Sequence, residues 1–244
     1  MFAAGAVEVV GFVTFVGRQT LMYHRHVLAL AGWLPVWDLE QRRIELDEVI
    51  AWTRAQLAGL GIHEPLEQIR VSSETARDLA RRLTQASLDP ALRRPLHDAL
   101  RAMVPELPWR HVLVQSCAHF RILCPNDHVT PVPPHCDHGF GHALDERNFW
   151  LALTAASGTA ALHACDLRAS LKRLIAEGTT EGVIADVPLA PIDMARGDAL
   201  LFTPLHLHGA RTPEAVTRVS IDLRIVPTRG NAIGPSFAPP WRTT

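Results

Sequence analysis

The chain has 244 residues, 48% of them hydrophobic and 20% charged. That balance excludes a disordered chain, a long coiled coil and a collagen-like repeat. Lys and Arg number 24 against 25 Asp and Glu, so there is no cationic excess to neutralise phosphates, and a nucleic-acid partner is not expected. Four Cys are too few for a disulfide scaffold, while thirteen His are many; where those His fall carries much of the argument below.

Residues 1–16 are apolar apart from Glu8 and Thr14. No positive region precedes this run and it is short for a membrane span, so neither a signal peptide nor a membrane helix is expected. Its β-branched and aromatic content over residues 7–16 predicts a buried strand. A cytoplasmic protein with reduced thiols and no membrane partner follows as an expectation. Leu46, Val49, Ile50, Thr53, Leu57 and Leu60 recur at three- and four-residue steps, predicting a helix that Gly59 and Gly61 end. A second helix is expected over residues 73–86. Asp89-Pro90 reads as an N-cap and first-turn proline opening a third helix toward Val104, with Pro95 inside its pattern.

From Trp109 the texture changes. Residues 111–123 have strand composition, and residues 130–134 hold three prolines and must be extended. Strands are predicted at 148–154, 199–203 and 218–226, with turns at Ser157-Gly158 and Gly197-Asp198, a short helix at 167–177 and an irregular tail at 229–244. Many short strands with turn signals point to a sandwich or barrel. The reading is one α+β domain, with a strand and helical support over about 1–108 packed on an antiparallel β core over about 109–228.

His135-Cys136-Asp137 lies in extended chain, where residues two apart point the same way. His135 and Asp137 therefore converge and Cys136 faces away. A His nitrogen and a carboxylate oxygen together suit a borderline divalent metal, and two His with one carboxylate is the triad of non-haem Fe(II) oxygenases. His206 and His208 are the candidates for the third ligand. His208 is preferred because Gly209 permits close backbone approach, which leaves His206 as a supporting or substrate contact. Ten residues on, Arg218-Val219-Ser220 opens an apolar strand with Arg218 and Ser220 on one face. A guanidinium grips a carboxylate through two parallel hydrogen bonds, and a hydroxyl adds a third.

With His135-Cys136-Asp137, His208 and Arg218-Val219-Ser220 in this order, the chain resembles the Fe(II)/2-oxoglutarate-dependent oxygenase superfamily. Gly197-Asp198-Ala199-Leu200-Leu201-Phe202, His208-Gly209 and Arg218 through Arg224 are similar to its phytanoyl-CoA dioxygenase-like branch. Pro134-His135-Cys136-Asp137 and Asp145-Glu146-Arg147-Asn148-Phe149-Trp150 resemble the small oxygenases of aminoglycoside clusters of the streptomycin and hygromycin type. The likeness covers about residues 115–228. It implies a double-stranded β-helix, a jelly roll with the metal at its mouth. It implies Fe(II) held by His135, Asp137 and His208, and 2-oxoglutarate anchored by Arg218 and Ser220. With O2, oxidative decarboxylation to succinate and CO2 drives hydrogen abstraction from a small-molecule substrate. Superfamily halogenases replace the acidic ligand with a small residue; Asp137 is present, so hydroxylation is the default, with cyclisation, desaturation and epimerisation sharing its first step.

Further candidates follow from position. Arg121, on the strand before the metal loop, is placed to reach 2-oxoglutarate or substrate or is a surface strand residue, and Asn148 hydrogen-bonds the co-substrate or belongs to the core. Trp150 shares a face with Asn148 and lines a substrate pocket or the core. Arg224 is in phase with Arg218 and faces substrate or pairs with Asp222. His138 flanks the metal loop as a substrate contact or a plain loop residue. Two other classes compete: a non-catalytic metal-binding jelly roll acting as sensor or scaffold, which has no use for Arg218 and Ser220, and a metal-dependent hydrolase, which wants more His before Asp137.

Overall fold

The computed structural model describes residues 8–13, 40–103, 111–125, 132–142, 146–177, 184 and 186–228. In chain order they form β1 (Glu8–Val13), β2 (Glu40–Arg43), α1 (Asp47–Gly59), α2 (Ser73–Ala86), α3 (Pro90–Met103), β3 (His111–Gln115), β4 (His119–Leu123), β5 (Arg147–Ala152), β6 (Leu162–Ala164), α4 (Leu167–Glu177), β7 (Ala190–Ile192), β8 (Asp198–Phe202), β9 (His208–Ala210) and β10 (Arg218–Thr228).

The helices form where the spacing predicts them. α1 buries Val49, Ile50, Thr53 and Leu57 along one face. The Ser72 hydroxyl accepts from the Thr75 N–H at 3.2 Å and starts α2. Asp89 Oδ1 accepts from the Ala91 N–H at 2.9 Å and starts α3, which continues through Pro95 at the loss of one backbone hydrogen bond.

The larger sheet runs β1-β3-β10-β5-β8-β2, with β4 also on β10. β1 is parallel to β3, and β10 is antiparallel to β3, β4 and β5. The stretch 111–123, one strand by composition, is two: Val114 lies opposite Ile225 and Ile122 opposite Val219. Both halves use the same edge of β10, broken at a bend around Ser116 and Cys117.

Period-two alternation along β10 divides two environments. Val219, Ile221, Leu223 and Ile225 join Phe149, Leu151, Ala199 and Leu201 in one apolar cluster with residues of α1, α2 and α3. The opposite face carries Arg218, Ser220, Asp222 and Arg224, all on a strand buried almost throughout. Trp150, Ala152, Leu200 and Phe202 belong to a second cluster on that side with Leu162.

The second sheet runs β7-β6-β9. An isolated bridge pairs His135 with His208 and extends it by one chain segment. These strands have three residues each and no alternating pattern, so the sequence did not predict them; β2 was also not predicted. Gly197 sits at φ +89° in the turn before β8, as its place in Gly197-Asp198 predicts. The strand expected over 7–16 is present at Glu8–Val13. The tail expected to be irregular, 229–244, lies outside the described residues. Among the described residues no helix is long and apolar enough to cross a membrane.

Candidate metal centre and its cavity

Three segments bring the predicted ligands together. His135 leaves the extended proline-rich run 132–134, Asp137 opens a 3-10 turn at Asp137–Phe140, and His208 begins β9. The backbone locks two of them: the His135 N–H donates to the His208 carbonyl at 3.0 Å, and the His208 N–H donates back at 2.9 Å. Gly209 makes this approach possible. A Cβ there would lie 2.9 Å from the Val132 carbonyl oxygen and 3.3 Å from the Pro133 carbonyl.

One ligand atom from each of His135, Asp137 and His208 falls within 4.8 Å of the others, and all three residues are buried. Asp137 Oδ1 is 3.4 Å from His135 Nε2 and 3.7 Å from His208 Nε2. Both rings are oriented from behind. His135 Nδ1 lies 2.8 Å from the Pro133 carbonyl and His208 Nδ1 lies 2.9 Å from the His206 carbonyl. A carbonyl can only accept, so each Nδ1 carries a proton, and it is Nε2 that turns inward and offers its lone pair when the ring is neutral. Burial, partly offset by Asp137, pushes the His208 imidazole down to about 4, which keeps it neutral and able to ligate.

Asp137 is fixed from its other oxygen. Oδ2 accepts from Asn148 Nδ2 at 2.6 Å and from Arg224 Nη2 at 2.9 Å. Burial opposes ionisation, but the Arg224 guanidinium holds the carboxyl well below its usual range. Oδ1 is left facing the two imidazoles. This donor set, two imidazoles and one carboxylate oxygen with their far sides hydrogen-bonded, fits a first-row divalent ion such as Fe(II).

The centre opens into a cavity lined also by Arg218, Arg121, Trp150, Leu162 and Phe202. Arg218 is 1% exposed. It gives Nη1 hydrogens to the Ala160 and Ala161 carbonyls at 3.3 and 3.1 Å, and its guanidinium carbon lies 5.8 Å over the Trp150 ring. Nε has no hydrogen-bond partner among the described residues, and neither has the buried Ser220 hydroxyl two residues on. Burial, with repulsion from Arg121, lowers the Arg218 guanidinium to about 10. Asp222 acts on it only at a distance, and among the described residues no carboxylate pairs with it, so this buried cation calls for an anionic ligand.

The other candidates divide. Arg121 lines the cavity and its Nε donates to Asp222 Oδ2. Arg224 lines it too but spends Nη2 on Asp137, so Asp222 pairs with Arg121 and not with Arg224. Asn148, expected at the co-substrate, has its amide nitrogen on Asp137 instead. Trp150 lies on the cavity wall and under Arg218. His206 is buried at the 203–206 turn, where Nδ1 accepts from the Thr203 N–H at 3.1 Å. His138 Nδ1 lies 2.7 Å from the His142 carbonyl. Neither His206 nor His138 is among the cavity-lining residues. Cys136 is fully buried with Leu205 and Leu207, facing away from the triad as predicted, and burial pushes its thiol up to about 11.

Sequence reasoning missed the partnership of Arg224 and Asn148 with Asp137. The register that places Arg224 opposite Asn148 comes from pairing β10 with β5, which neither segment shows alone.

No family model matches the chain, and no curated protein matches it. Solved structures resemble it at low identity. EvdMO1 is 17% identical, with a TM-score of 0.46 over 81% of this chain and 49% of its own. The chain thus spans about half the length of that protein. EvdO2 from Micromonospora carbonacea var. aurantiaca, solved with 2-oxoglutarate, is 14% identical, with a TM-score of 0.48 over 91% of this chain and 97% of its own. SnoN, a non-haem alpha-ketoglutarate-dependent epimerase from nogalamycin biosynthesis, is 16% identical, with a TM-score of 0.49 over 89% and 94%.

Proposed function

We propose that this chain is an Fe(II)- and 2-oxoglutarate-dependent oxygenase that oxidises a polar small molecule in secondary metabolism. The observation that carries the reading is the coincidence, in one cavity, of a two-His, one-Asp donor set and a buried Arg218 whose Nε has no partner among the described residues. A metal-binding sensor explains the first and leaves the second without a cause. We read the two facing sheets as a double-stranded β-helix of the jelly-roll type, with motifs similar to those of the phytanoyl-CoA dioxygenase-like branch. An amino sugar remains the substrate class that the sequence likeness suggests.

In this reading His135, Asp137 and His208 would hold the ion, beside the cavity they line. Bound Fe(II) with 2-oxoglutarate supplies oxidising power from O2, enough to abstract hydrogen from carbon. The protein's own part is positional. Asn148 and Arg224 hold Asp137 Oδ2, so that only Oδ1 turns to the ion. Pro133 and His206 hold the Nδ1 protons, so that both Nε2 atoms turn inward. Arg218 and Ser220 receive the distal carboxylate of the keto acid, and Arg121 sits beside them. Trp150, Leu162 and Phe202 keep that wall apolar, which strengthens the charge contact by excluding water.

The test is turnover against a panel of hydroxylated and amino sugars. Succinate release should require O2, the keto acid and iron together, and should vanish in Asp137→Ala. Product formed without O2 or 2-oxoglutarate would mean hydrolytic chemistry and would sink the proposal.

A further inference from the structure

Outside the cavity, the segment 67–70 grips the residues that lead into β10. Thr217 is fully buried. Its N–H donates to the Glu67 carbonyl at 3.0 Å, and its hydroxyl donates to the Ile69 carbonyl at 2.5 Å. Arg70 closes the arrangement: Nη1 donates to Thr217 Oγ1 at 3.1 Å, and Nη2 donates to the Ala215 carbonyl at 2.7 Å. The same Nη1 reaches the Glu67 and Ile69 carbonyls at 3.0 and 2.9 Å. On the other flank of Arg218, the Val219 N–H donates to Thr154 Oγ1 at 2.9 Å, and its carbonyl accepts from the Leu153 N–H at 3.0 Å. Arg218 is therefore staked through both neighbours. Its own guanidinium holds only two carbonyls at 3.1 and 3.3 Å, so the backbone at 217–219 determines where that long side chain starts.

We propose that Arg70, acting through Thr217, is a positioning residue for Arg218 and so for recognition of the distal carboxylate of the keto acid. This rests on the oxygenase reading of the cavity. Arg70 itself is exposed, and its bonds to the Glu67 and Ala215 carbonyls lie at the surface, where such contacts add little to global stability, while those to the Ile69 carbonyl and Thr217 Oγ1 are partly buried. Preorganisation of a buried clamp depends on position within fractions of an ångström, so the effect of losing Arg70 falls on ligand binding more than on folding.

The test uses the full chain loaded with Mn(II), titrated calorimetrically with 2-oxoglutarate and with 2-oxopentanoate, which lacks the distal carboxylate. In Arg70→Gln we expect 2-oxoglutarate to weaken about tenfold, or about 1.4 kcal/mol. Metal affinity, 2-oxopentanoate affinity and melting temperature should stay near wild type. Thr217→Val should reproduce the split, Arg70→Lys should recover part of it, and in Arg218→Met the Arg70 substitution should cost nothing more. Equal weakening of both keto acids, or wild-type binding in Arg70→Gln, overturns the inference while leaving the oxygenase reading intact. A wild-type protein that does not prefer 2-oxoglutarate over 2-oxopentanoate overturns both.

Discussion

Asn148 donates its amide hydrogen to Asp137 Oδ2 at 2.6 Å, eleven residues along the chain and on a different element. With Arg224 on the same oxygen, it turns a carboxylate that could rotate into one that presents a single atom to the two imidazoles. Partners behind metal ligands typically contribute ten- to a hundredfold in affinity. Asn148→Ala and Arg224→Met should each weaken Fe(II) or Mn(II) binding by about that factor without unfolding the chain. Unchanged affinity in both variants, measured by calorimetry, contradicts this role.

Arg218 offers a trade between stability and function. A buried guanidinium without a carboxylate partner costs folding energy when no ligand is bound. Arg218→Met should therefore raise the melting temperature of the ligand-free protein by a few degrees, on the order of 1–2 kcal/mol. It should also remove the thermal stabilisation that 2-oxoglutarate gives the wild type. A lower melting temperature in Arg218→Met would show that the cation is already satisfied.

Gly209 couples the β9 backbone to the ligand geometry. A Cβ placed 2.9 Å from the Val132 carbonyl oxygen must push β9 away from the segment that carries His135. Gly209→Ala should cost about 1–3 kcal/mol in stability and weaken metal binding beyond that, because His208 moves with its strand. A variant with normal metal affinity argues against the close approach.

Burial pushes the His119 imidazole, on β4, down to about 4, with Asp222 opposing. The unfolded chain takes up this proton below about 6.5, so the unfolded state binds more protons between the two values. Stability should then fall as pH drops from about 6.5 toward 4, by on the order of 1–3 kcal/mol. His119→Gln should flatten that part of the curve in denaturant titrations. An unchanged slope in the variant contradicts the assignment.

Much of this architecture was legible in the chain. The first N-terminal helix announces itself through apolar spacing and the third through Asp89-Pro90, whose cap depends only on near neighbours, whereas the Ser72 cap of the second went unread. His135 and Asp137 were readable because extended chain alternates, and Cys136 turned inward for the same reason. His208 over His206 followed from Gly209, which the contact with Val132 justifies. What the sequence did not show is long-range pairing. β6, β7 and β9 are too short to carry a pattern, and the pairing of Arg121 with Asp222 exists only because β4 and β10 lie in register. The same holds for Asn148, whose side chain could be assigned to the co-substrate until β5 placed it beside Asp137.

The central claim is one site that binds metal and keto acid together. The most direct measurement is an anaerobic titration of the metal-free protein with Fe(II) and then 2-oxoglutarate, followed by visible absorption. A weak charge-transfer band should appear that needs both additions, is lost in His208→Ala and is weakened in Arg218→Ala. Iron binding without any band contradicts the keto-acid assignment, and no iron binding at all contradicts the triad.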